Sequence, residues 1–329
     1  MDSVNMDNMV VSQKPKKNKL SSSRKKKLIF FSLMTLPFLV QAAIFYIYLN
    51  GSTFIMAFLK YRLTDSGDVS TFVWFENFVE VIKRIFHPDR VGMIYGSLAM
   101  YAFILLVVTP VVIFFSFYIY KKFFLSGFFR VILFMPQIIS SVVYVSLYKF
   151  MFTQLSNELF GVELLDPNAN PVQFISMIIL YVFWTGFGTN ILLMSGAMAG
   201  IDESVVEACY LDGCNMTREF VHVTLPSIYP TITTFVILDI TTIFTNTMNL
   251  HLFFGTNWSL PVSSVGYYME INMISSSGLY PPEGRENPAD REFLLYPEIA
   301  ALGLMITLLI SPICIFVRKF MERVGPSED

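Results

Sequence analysis

The chain has 329 residues, of which 54% are hydrophobic and 15% charged, with 33 phenylalanines and a mean hydropathy of +0.57. A soluble domain carries about a quarter charged residues, so this composition excludes an ordinary soluble globular domain and implies a polytopic membrane protein. The net charge of −2 offers no bulk basic field for nucleic acid.

Residues 1–27 form a polar, basic tail ending in "SSSRKKK". It is too long and too far from a cleavage site to act as a signal peptide, so the apolar run after it is expected to be an uncleaved first span over 28–49. Five more apolar stretches follow, predicting spans over 93–119, 129–151, 173–198, 228–253 and 294–317. Each exceeds the roughly 20 residues that cross a hydrocarbon core of about 30 Å. Pro110, Pro136 and Pro312 fall inside spans, where neighbouring groups must satisfy the freed backbone. The expected fold is all-α, a membrane domain over 28–325 with no soluble insertion and no internal repeat.

Orientation follows from Lys and Arg. With the N-terminus inside, fifteen of the 23 basic residues fall on the cytoplasmic side and eight outside. The loop between spans three and four, "TQLSNELFGVELLDPNANP", holds acids and no bases, which agrees with N-in, C-in. This places Cys209, Cys214 and Cys314 at or near a reducing compartment, where no disulfide is expected. The three histidines are scattered, and no Cys/His cluster has metal-ligand spacing. No phosphate loop, GxSxG elbow or HExxH is present, so neither an ATP site nor an enzyme, and no metal or cofactor, is expected.

One polar stretch interrupts the apolar pattern between spans four and five: "EACYLDGCNMTREFVHVTLP", residues 207–226. Ser204 and Glu207 fit a capping box, with Asp202 and Glu203 suited to the positive end of a helix. Gly213 permits a left-handed turn, and Asn215 can cap a second helix from Met216 to about Val223. Leu225-Pro226 closes the hairpin, with Pro226 in the first turn of span five. Residues 202–226 thus read as two short helices at the membrane surface, where small Ala208, Cys209 and Cys214 would admit a close neighbour. An ordinary interfacial loop, in which Glu207 only caps its own helix, is the plainer alternative.

Polar residues also mark the spans. A carboxylate at bilayer depth costs roughly 2.5–3.5 kcal/mol, so Asp239 should face a cavity or a partner. Asp239, Thr242, Asn246 and Asn249 are spaced for one helix face. Gln137, Ser140 or Ser141, Tyr144 and Tyr148 make a second stripe, with Asn190 and Glu298 as isolated points. Such groups suit a polar solute path or contacts between membrane helices, the span-three stripe more the latter because Ser and Tyr are common in helix contacts.

The 207–226 stretch resembles the EAA loop of permease subunits of bacterial ATP-binding-cassette importers. Glu207-Ala208-Cys209, Gly213 after three residues, and Val223-Thr224-Leu225-Pro226 after nine more match its spacing, as does Asp212. Cys209, Cys214 and Val223 depart conservatively from Ala, Ala and Ile. "IDESVVEACYLDGCN", "WFENF" at 74–78 and "YPEIAALGLMITLL" resemble carbohydrate-type members. A glycine-rich turn common after span five is replaced by "FFGTNWSLP" and an extra segment, "SSSGLYPPEGRENPADRE".

The resemblance implies a type I importer-like fold in a bacterial cell membrane. It also implies a second permease, two cytoplasmic ATPase subunits and an extracytoplasmic solute-binding protein. Glu207, Ala208, Asp212, Gly213, Leu225 and Pro226 would meet the ATPase, and the solute would be a sugar or oligosaccharide. Rival readings are a secondary transporter or channel using Asp239 and Glu298 as ion sites, and a membrane scaffold or sensor.

Overall fold

The computed structural model describes residues 22–64, 67–166, 168, 170–256, 262–276 and 296–326. It divides into two compact units, Met1–Thr53 and Phe54–Asp329. Most of the basic tail and most of the loop over 255–293 lie outside the described residues.

The first unit holds helix α1 (Ser22–Ala42) and its continuation through a π turn, Ala43–Ile47, into the helix Tyr48–Met56, whose last three residues fall in the second unit. Lys26–Met56 is long and apolar enough to cross a bilayer. The predicted first span is therefore helical and extends some residues beyond its expected C-terminal boundary.

The second unit opens with an antiparallel pair that the apolar pattern does not predict, β1 (Leu59–Thr64) and β2 (Gly67–Phe72). Asn77, buried in helix α2 (Glu76–Ile85), donates to the carbonyls of Ala57 and Leu59 at 2.8 and 2.9 Å, which fixes the chain where it enters the strand. Helix α2 packs against the last helix of the chain.

Span two is helix α3 (Gly92–Tyr120), interrupted by a π turn at Ile104–Val108. Pro110 follows at the first turn of the resumed helix, so its missing N–H falls where the ladder is already rearranged. Span three is not a single rod. Helices α4 (Ser126–Ile138) and α5 (Ser141–Phe150, running on to Phe160) are bent by 106°. Pro136 weakens the end of α4, and Ile139 and Ser140 adopt extended backbone between the two. Span four is α6 (Pro171–Thr185), capped by Asn170, and α7 (Gly188–Ala199).

Beyond α7 come α8 (Glu203–Leu211) and α9 (Met216–Glu219), the latter continuing through a π turn to Ser227. Helix α10 (Tyr229–Thr242) then rises at 64° to the Met216–Ser227 segment.

The expectation of one continuous helix over 228–253 is corrected here. Helix α10 ends at Thr242, Met248 and Asn249 take left-handed φ values of 52° and 54°, and a separate helix α11 covers Leu250–Phe254. The cause is a run of Thr and Asn side chains competing for the backbone. Thr241 and Thr242 donate to the carbonyls of Leu238 and Asp239, and Asn246 Oδ1 accepts from Met248 N at 3.0 Å.

A buried helix outside the six expected spans, α12 (Val265–Ser276), packs against α3, α11 and the terminal helix α13 (Tyr296–Val324). Among the described residues, four helices are long and apolar enough to cross a membrane, or six if each bent pair is one span. Among the described residues, two large apolar cores and a small cluster of Ala57, Ala300 and Ala301 hold the second unit together. One gathers α5, α6, α10 to α13 and the first half of α3, including Tyr181, Tyr267, Tyr268 and Phe253. The other joins the second half of α3 to α7 and α10 through Val112, Phe117, Phe187, Met194 and Ile228.

Candidate functional site

The hairpin over 202–226 is built as two capped helices around a fixed turn. Asp202, not Ser204, is the cap of α8, its carboxylate accepting from Ser204 N at 3.0 Å. That corrects the expected capping box: Ser204 lies inside the first turn, and Glu207 stands exposed on the helix flank. The hydrogen bonds from Ser204 hold Asp202 below the usual carboxylate range.

At the other end of α8, Gly213 N donates to Tyr210 O at 3.0 Å and Cys214 N to Cys209 O at 2.9 Å. With Gly213 at φ 77°, this is a Schellman motif, which satisfies the last carbonyls and reverses the chain. Asn215 then caps α9 by accepting from Arg218 N at 2.9 Å.

The same motif brings its third-from-last helical residue against the second residue past the cap. These are Cys209 and Cys214, and the structure bonds them as a disulfide with their Cα atoms 5.3 Å apart. The expectation that no disulfide forms is thereby corrected. Turn geometry alone supplies the juxtaposition, whereas the expectation rested only on the compartment. Cys314 is free.

Burial sorts the sequence-predicted docking residues. Glu207, Ala208, Asp212 and Gly213 are exposed on the outer surface of the hairpin, beside Leu211, which is 89% exposed. Val206 and Cys209 point inward. Leu225 and Pro226 are half-buried at the base, where Leu225 packs against the core containing Phe117 and Ile228.

The residues that seat the hairpin are not among those the sequence singles out. Glu219 is fully buried, and its carboxylate accepts from Tyr210 Oη at 2.6 Å and pairs with Lys121 Nζ at 2.5 Å. Lys121 directly follows the last turn of α3. Its ammonium also lies over the rings of Tyr120, Tyr210 and Phe117, at 5.3, 5.5 and 5.9 Å. Burial alone would lower the Lys121 pKa, but hydrogen bonds to Glu219 and Tyr210 outweigh it and raise the pKa. The hydrogen bond to Glu219 likewise raises that of Tyr210. Lys121 and Glu219 lie far apart in the chain, so no local spacing links them.

A second feature is a small cleft of mixed polar and apolar lining, with a volume of about 50 Å³. It is lined by Ser97, Tyr101, Asp239, Thr242, Asn246 and Ser264, with Met100, Ile104, Ile243 and Met248 as apolar walls. Ser264 donates to Asn246 O at 2.9 Å, and Ser97 Oγ accepts from Val265 N at 3.0 Å, which ties the start of α12 to α3 and the 243–249 turn.

Three of the four span-five candidates, Asp239, Thr242 and Asn246, thus share this cleft, although not as one helix face. Asn249 lies elsewhere, donating to Tyr181 Oη at 3.0 Å. Gln137 donates to Thr185 O at 3.1 Å and fills the space over Gly188. Tyr144 is buried among Tyr181 and Trp184. Glu298 is buried in the first turn of α13 and does not line the cleft with Asp239. Among the described residues no group of three or more His, Cys, Asp or Glu side chains could hold a metal.

The fold defines an α-helical membrane protein, with four to six candidate spans among the described residues. The chain belongs to the family described as binding-protein-dependent transport system inner membrane component, which it matches over residues 109–328. It is similar to the arabinooligosaccharides transport system permease protein AraP of Bacillus subtilis (strain 168), with 25% identity over 206 residues, 60% of this chain and 63% of that one. It shares 28% identity over 133 residues with the maltose/maltodextrin transport system permease protein MalF of Vibrio vulnificus (strain YJ016), covering 38% and 25% of the two chains. It therefore spans less than two thirds of the length of these relatives. Its fold resembles a chain of a crystallised bacterial alginate ABC transporter in complex with alginate pentasaccharide-bound periplasmic protein, at a TM-score of 0.67 and 18% identity, covering 93% and 99% of the two chains.

Proposed function

We propose that this chain is the membrane-spanning subunit of an ATP-driven importer of a sugar or oligosaccharide in a bacterial inner membrane, with its N- and C-termini in the cytoplasm. It pairs with a second, different permease, receives solute from an extracytoplasmic binding protein, and is driven by two ATPase subunits. The hairpin over 202–226 docks on one ATPase, and nucleotide-driven closure pushes it so that the paired permeases alternate between outward and inward access.

The observation that carries this reading is the hairpin's construction. Two capped helices locked by a Schellman turn present Glu207, Ala208, Leu211, Asp212 and Gly213 outward. A compact, hydrogen-bonded element transmits a rigid-body displacement, whereas a flexible loop absorbs it. The named sugar-transport relatives support the solute class.

The cleft around Asp239 supplies part of the solute path. Its 50 Å³ is far below the roughly 300–1,000 Å³ of small-molecule sites. A saccharide therefore requires a second wall, which the partner permease contributes. The test is uptake of a panel of labelled oligosaccharides, with the binding protein present, in vesicles supplied with ATP while a protonophore collapses the proton gradient. Continued uptake supports the importer. Uptake that follows the gradient instead would return Asp239 and Glu298 to consideration as ion sites.

A further inference from the structure

Glu219 is a carboxylate of zero exposure on a hairpin whose outer face is open, and its partners sit on different elements. Tyr210 belongs to α8, Glu219 ends α9, and Lys121 caps α3. One acid thus binds both arms of the hairpin and the end of the second span at a single point. Beside it, the rings of Phe220 and Phe117 meet at 4.8 Å, an apolar contact between the same two elements.

Stability alone does not call for this arrangement. Replacing a buried ion pair with apolar residues of similar volume is often neutral or stabilising, because the desolvation of both charges disappears. What an ion pair adds over an apolar contact is direction. An ammonium enclosed by a carboxylate and three rings, one of them the phenol of Tyr210, has one position, while two packed rings can slide. The C-terminal end of α3, where carbonyls gather partial negative charge, further favours a cation at Lys121.

We propose that Lys121, Glu219 and Tyr210 form a latch that carries displacement of the hairpin into α3, making them positioning residues for transport. This rests on the reading that an ATPase docks on the hairpin. A push on the outer surface of α8 reaches α3 through the Tyr210–Glu219–Lys121 chain without waiting for the longer route through α10. With the latch removed, the hairpin still docks and ATP is still hydrolysed, but the hairpin slips against α3.

The test uses the full complex with its ATPases in nanodiscs, the native cysteines of this chain replaced by Ala, and spin labels at Thr217→Cys on the hairpin and at Phe114→Cys, an exposed position of α3. In the parent the distance distribution should stay narrow and unchanged between the nucleotide-free and ATP–vanadate states. In Lys121→Met/Glu219→Leu it should shift and broaden on ATP–vanadate, with ATP hydrolysis within about twofold of the parent, roughly 0.4 kcal/mol. Lys121→Arg, which keeps the cation, should behave as the parent. Thermal melting of each variant separates slippage from misfolding, and Glu219→Gln gives a second, isosteric reading. An unchanged distribution in both the double variant and Glu219→Gln, with ATPases bound, overturns the latch and leaves docking intact. Failure of the parent to retain any ATPase overturns the docking reading, and the latch with it.

Discussion

Gly96 on α3 and Ser263 before α12 meet backbone to backbone, so that a β-carbon on Gly96 would overlap the Ser263 carbonyl oxygen. Gly266 makes a parallel approach, where a β-carbon would come within 2.6 Å of Asn246 O. These contacts allow Ser97 and Ser264 to tie α3, the 243–249 turn and α12 into one wall of the cleft. Gly96→Val should therefore push α12 away and destabilise the protein by about 1–3 kcal/mol, the usual range for overpacking. A lowered thermal midpoint in detergent checks this, with Gly92→Ala, where nothing lies within 4 Å of the added carbon, as the unaffected control.

Gly213 is different, because nothing surrounds its β-carbon position and the constraint lies in φ, at 77°. A branched residue there costs roughly 1–2 kcal/mol in a left-handed conformation. The Schellman bonds from Gly213 and Cys214 would be strained or lost. Gly213→Val is expected to leave the spans intact but to reduce either ATPase retention or transport per ATP hydrolysed. Co-purification of the ATPase and the ratio of uptake to hydrolysis in proteoliposomes measure the two effects. A well-expressed variant with normal coupled uptake would count against the docking role.

The alternation of long apolar runs with short polar loops made the spans legible, since bilayer thickness fixes how much apolar helix is needed. The turn at Gly213 and the cap at Asn215 were legible because caps are local chemistry. The break of span five after Thr242 was not. Its Thr and Asn residues fit a helical polar stripe and a set of local backbone bonds equally well, and only tertiary context selects the second. The Lys121–Glu219 pair was invisible for another reason: its partners are far apart in the chain. Tyr144 and Gln137 fit a polar stripe along a single helix, whereas the 106° bend after Ile138 places them in separate helices.

Asp239 and Tyr144 should therefore respond differently to substitution. Asp239→Leu removes the only carboxylate lining the cleft among the described residues. It is expected to impair transport by tenfold or more, a loss equivalent to about 1.4 kcal/mol of transition-state stabilisation, while ATPase assembly persists. Tyr144→Phe removes a buried hydroxyl that has no hydrogen-bond partner among the described residues. Loss of an unsatisfied polar atom is neutral or stabilising, so uptake should stay within about twofold and the melting temperature should hold or rise, on the order of 1 kcal/mol. Uptake and melting curves for both variants separate a solute-path role from a packing role. Unchanged uptake in Asp239→Leu would assign that residue to packing as well.

The Cys209–Cys214 bridge and the turn it spans can be tested apart. The two Schellman hydrogen bonds and the left-handed Gly213 require no sulfur, so the backbone of the hairpin should survive loss of the bridge. Cys209→Ala/Cys214→Ala restores the small side chains that the EAA-type spacing ordinarily carries, and its cost should stay below the roughly 2–4 kcal/mol typical of a disulfide, since the closed loop is short. ATPase retention by this variant should match the parent. Whether the bridge forms in cells is read by acid quenching, denaturation in a maleimide reagent and mass spectrometry. One alkylated cysteine, Cys314, reports the bridged state, and three report the reduced pair. If the alanine variant binds no ATPase while the reduced parent does, the turn depends on its thiols in a way that the backbone bonds do not explain.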